Sequence, residues 1–116
     1  MSVKSVRFET EYHVADGDVR ITIRIGEGQF GTSVMTLEDR VFGPGDVNDV
    51  LLGPGSQLGG LVLQVKSIVT DINDMTDRTS IAYELEGGHV PATHVLVASV
   101  DEEGGSVIYR SRIRFL

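Results

Sequence analysis

Three aspartates and an asparagine crowd the stretch Asp71-Ile-Asn73-Asp74-Met-Thr-Asp77, the segment best suited to hold a hard cation. Ca²⁺ takes about six to eight oxygen ligands, and a loop at the end of a β-domain can gather them. The spacing departs from the EF-hand loop. Met75 stands where the fifth ligand would be, no glycine follows it, and the twelfth position is Ala82 rather than Glu. Asp, Asn and Thr are also ordinary turn residues, because their side chains bond to nearby backbone amides. The expectation is an acidic turn with no cofactor, with a weak Ca²⁺ site at Asp71, Asn73, Asp74 and Asp77 as the alternative.

Other catalytic chemistry finds less support. His13, His89 and His94 are the only histidines, and they form neither an H-x-H nor an H-E-x-x-H pair. The chain has no cysteine, which removes thiol catalysis, thiolate metal sites and disulfides together. Gly53-Pro-Gly-Ser56-Gln lacks the final glycine of a nucleophile elbow. Glu84 and Glu86 share one face of a strand, which without a cleft is a solvated face. Gly26-x-Gly28-x-x-Gly31 matches the dinucleotide fingerprint in spacing, but a β-like run follows it where a helix is required.

Seventeen acids against ten bases leave a net charge of −7, which disfavours nucleic acid as a partner. Seven of the ten bases (Lys4, Arg7, Arg20, Arg24, Arg110, Arg112 and Arg114) fall in the first two runs and the last, while acids collect in likely loops. If the terminal runs share a sheet, its outer face carries mixed charge with a basic bias. No apolar run approaches a membrane span, and the start reaches charge too early for a leader peptide. The expected location is cytoplasmic, or exported without a classical signal peptide, with no membrane partner.

The elements that must position these residues are strands. Val6, Phe8, Thr10, Tyr12 and Val14 alternate with Arg7, Glu9, Glu11 and His13; Val19, Ile21, Ile23 and Ile25 alternate with polar residues in the same way. Val107, Tyr109, Ile113 and Phe115 repeat the pattern against Arg110, Arg112 and Arg114. Period two is the signature of antiparallel strands with one buried face. Asp16-Gly17 between the first two runs (3–14 and 18–26) predicts a hairpin. A third strand is expected near 32–37. The two Gly-Pro-Gly triplets in 38–57 predict turns around at most a short strand or one helical turn.

In 60–72 the apolar parity changes, from Leu61, Leu63 and Val65 to Ile68 and Ile72, which predicts either a bulge near Lys66–Ser67 or a bend by which the strand serves two sheets. Arg78–Glu86 reads as a return strand. His94–Val100 is so nearly apolar throughout that it predicts a central strand buried on both faces. The reading is one domain, 1–116: an all-β antiparallel sandwich of seven to nine strands, with a small β-barrel as the alternative.

For function the sequence supports two expectations. The first is a non-catalytic protein-interaction or structural module, self-associating as a homo-oligomer or seated in a larger assembly. Phe42, Val47, Val50, Leu51 and Leu52, unusually apolar for so broken a segment, are its candidate interface. The second is a small-ligand-binding or enzymatic sandwich whose loops Gly26–Gly31, Asp71–Asp77 and His89–His94 converge at one end.

Overall fold

The computed structural model describes residues 3–116; Met1 and Ser2, at the start of the segment read for a leader, lie outside them. The chain runs β1 (Val3–Tyr12), β2 (Asp18–Ile25), β3 (Phe30–Leu37), β4 (Arg40–Gly45), β5 (Val50–Pro54), α1 (Gly55–Leu58), β6 (Val62–Thr70), β7 (Arg78–Glu86), β8 (Ala92–Ser99) and β9 (Ser106–Phe115). The strands form two sheets in a sandwich, ordered β1-β9-β6-β3-β4 and β5-β2-β7-β8, and no closed barrel. Strands β2, β3, β6, β7 and β9 bury one parity and leave the other wetter. Tyr12, Ile21, Met35, Leu63, Tyr83, Leu85, Tyr109 and Phe115 all lie in the shared core.

Hydroxyl pairs tie the layers together inside that core. Ser111 Oγ donates to Tyr83 Oη at 2.7 Å, and Thr79 Oγ1 lies 2.6 Å from Tyr109 Oη, so β7 and β9 are cross-linked twice. Polar groups survive in an aliphatic interior when each has a partner.

The first two strands do not form a hairpin. β1 pairs with β9, in parallel and over ten residues, while β2 sits between β5 and β7 in the other sheet. The connection is an arch between layers, because its backbone finds partners elsewhere. Val14 N–H donates to Leu116 O, and Gly17 O accepts from Gly55 N–H. An arch lets the inner faces of β1 and β2 meet across the core, which a hairpin cannot do. It follows that the sheets are not wholly antiparallel. At the same end Gly87 turns at φ 96°, where a Cβ would run into the backbone of Asp18.

The expected bulge in β6 is absent. Leu63, Val65, Ser67 and Val69 are all buried, and Ile68 faces out beside Ile108. Ser67 holds an inward position because Ser33, opposite it on β3, is also serine, and their hydroxyls meet at 2.6 Å. A buried polar pair on one face and an isoleucine on the other imitated a change of parity. Likewise, the segment 38–57 contains two short strands as well as a helical turn, which falls at 55–58.

Candidate functional site

The three loops of the expected ligand site do not converge. Gln29 reaches into the 71–77 turn, with its Oε1 accepting from Ile72 N–H and Asn73 N–H, so those two loops share one end of the sandwich. The turn before β8 belongs to the opposite end, where His89 N–H donates to His13 O and Val14 bridges Gly88. The loop-end ligand site is therefore not assembled.

The four proposed cation ligands also point apart. Asp71 continues the inward parity of β6 and is buried, with neither carboxylate oxygen hydrogen-bonded. Asn73 uses both ends of its amide, Nδ2 to Glu27 O and Oδ1 from Met75 N–H. Asp74 and Asp77 face solvent. Among the described residues no three His, Cys, Asp or Glu side chains group where they could hold a metal. His94 lies instead in the gap between the edge strands β1 and β8, its ring 5.2 Å from that of Phe8 and its Nε2 buried without a partner.

The apolar segment expected to form an interface covers this chain's own core. Val47 and Leu52 are buried, Phe42 and Val50 pack against the cluster, and only Leu51 is exposed, at 44%. Arg40 fastens the segment, donating to Leu52 O and lying 5.4 Å over the Phe42 ring.

β8 is the surface that sequence reasoning missed. Expected to be central and buried on both sides, it is the edge of its sheet, hydrogen-bonded along its backbone, among the described residues, only to β7. Leu96 and Ala98 face the core, while Thr93, Val95, Val97 and Ser99 face out, Val95 at 60% and Val97 at 46% exposure. The neighbouring outward residues on β7 are Ser80 and Ala82, small enough to leave the valines proud of the sheet.

The other three edges carry features that deter pairing. β1 presents Lys4, Arg7, Glu9 and Glu11; β4 contains Pro44; and β5 is five residues long and ends in Pro54. Charge, proline and shortness are the usual means of blunting an edge. β8 has eight residues, no charge and no proline within it.

No helix among the described residues is long and apolar enough to cross a membrane. No family model matches the chain, and neither curated proteins nor solved structures give a match.

Proposed function

We propose that this domain is a non-catalytic interaction module that self-associates by antiparallel pairing of β8 with β8 of a second copy. The supporting observation is the outward pattern of that edge. Thr93, Val95, Val97 and Ser99 read hydroxyl, valine, valine, hydroxyl, which is unchanged on reversal. Pairing about Leu96 would set Val95 against the partner's Val97 and Thr93 against the partner's Ser99. Aliphatic and hydroxyl cross-strand pairs both stabilise a sheet, and no like charges would oppose each other. Such a contact is isologous and closes as a two-fold dimer, joining two four-stranded sheets into one of eight.

Sedimentation velocity over about a hundred-fold concentration series tests the reading, because association follows mass action. The expected result is a monomer–dimer equilibrium that Val95→Lys shifts to monomer, since a lysine on an edge opposes pairing. A wild-type protein monomeric throughout, or a Val95→Lys protein that dimerises equally well, would overturn it.

A further inference from the structure

We propose that the outer face of the β1-β9-β6 part of the larger sheet docks an extended acidic segment of a protein partner. In an acidic chain this face holds half of the ten bases: Arg7, Lys66, Arg110, Arg112 and Arg114. Arg7 on β1, Arg110 on β9 and Lys66 on β6 stand side by side in register across three strands, all exposed. At strand spacing that puts three like charges within about 10 Å.

Like charges directly opposite one another destabilise a sheet, so the row does nothing for the fold. Nor is it neutralised from within. Glu9 lies 3.9 Å from Arg112, but Arg7, Lys66, Arg110 and Arg114 have no ion pair among the described residues. A hollow of about 210 Å³ runs between Arg7, Glu9, Gln64, Arg110 and Arg112, with three bases to one acid.

The spacing selects an extended ligand. Arg110, Arg112 and Arg114 project from alternate positions of β9, about 6.8 Å apart, and a peptide with acids at every second residue presents carboxylates at the same interval. Ile68 and Ile108 lie one step beyond Lys66 and Arg110 on the same face, where they offer apolar contact to a ligand residue that follows the acids at the same parity. Nucleic acid fits less well. Phe8, the aromatic residue beside the bases, is half-buried and packed on Tyr83 and His94, so among the described residues no ring on this face is free to stack on a base.

The test is fluorescence anisotropy with a labelled peptide of about ten residues alternating Glu and Val, the acidic motif that arginine clusters recognise. Binding should weaken by at least about ten-fold between low and high salt, as for exposed charges. The double variant Lys66→Gln with Arg110→Gln should lose at least about ten-fold in affinity while melting no lower than wild type, because the like-charge row is relieved. Arg24→Glu, on the other sheet, should bind as wild type does. Val95→Lys should bind equally well, which keeps this surface separate from the dimer edge. Absence of binding, full affinity in the double variant, or tighter binding of a single-stranded oligonucleotide of equal length would overturn the proposal.

Discussion

Tyr83 of β7 and Ser111 of β9 meet across the core, the serine donating to the phenol oxygen at 2.7 Å. The Tyr83 ring also lies parallel to Phe8 of β1, with centroids 6.4 Å apart, so one side chain of the smaller sheet contacts two strands of the larger. Burial pushes the Tyr83 phenol up to about 12, although the Ser111 hydrogen bond acts in the opposite direction. The Tyr109 phenol is raised by the same cause.

That shift carries a stability prediction with a definite sign. A raised phenol favours the protonated form in the folded protein, whereas the unfolded chain releases the proton near pH 10. The contribution is therefore whole below about pH 10 and is lost as the pH rises through about 12. Two units correspond to about 3 kcal/mol. Denaturant melts at pH 9 and pH 12 should show this loss in the wild type. Tyr83→Phe, which keeps the ring but cannot ionise, should lose less over the same interval; an equal loss would assign the effect to other groups.

The regular alternation of β6 makes Leu63 and Ile68 unequal. Leu63 is fully buried, and truncation to Ala should cost about 2–5 kcal/mol through the lost transfer energy and the cavity left behind. Ile68 is 38% exposed on the outer face, and its truncation should cost no more than about 1 kcal/mol. Urea midpoints of the two variants measure the difference. A large loss at Ile68 would mean that this face is covered in solution.

Asp71 presents the opposite case, a polar side chain buried with nothing to bond. Leaving a buried polar group without a partner costs about 1–3 kcal/mol, so Asp71→Val, which continues the parity of Val65 and Val69, should raise stability by that order. Because Asp74 and Asp77 face away and Asn73 is engaged in the turn, 10 mM Ca²⁺ against EDTA should leave the wild-type melting temperature unchanged. A Ca²⁺-dependent rise that disappears in Asp71→Val would show instead that the carboxylate holds a cation.

Much of this architecture was legible along the chain because the β-pleat is a local device. It sends successive side chains to opposite faces, so alternation at Val19–Ile25 or Val107–Phe115 identifies both the strand and its buried side before any partner is known. The basic bias of the terminal strands was legible for the same reason. Its arrangement was not, because Lys66 comes from the middle of the chain and joins Arg7 and Arg110 only when β6 and β1 flank β9. Pairing is a non-local competition among strands of similar pattern. The Asp-Gly turn after β1 suits a hairpin, yet Leu116, Gly88 and Gly55 supply the contacts that make it an arch. Ser67 could be recognised as an inward residue only with Ser33 beside it. The run from His94 to Val100 showed that β8 is apolar on both parities. Only the tertiary structure decided that it would stand at an edge, since no strand among the described residues remains to pair with it and its outward valines have no second layer there to meet.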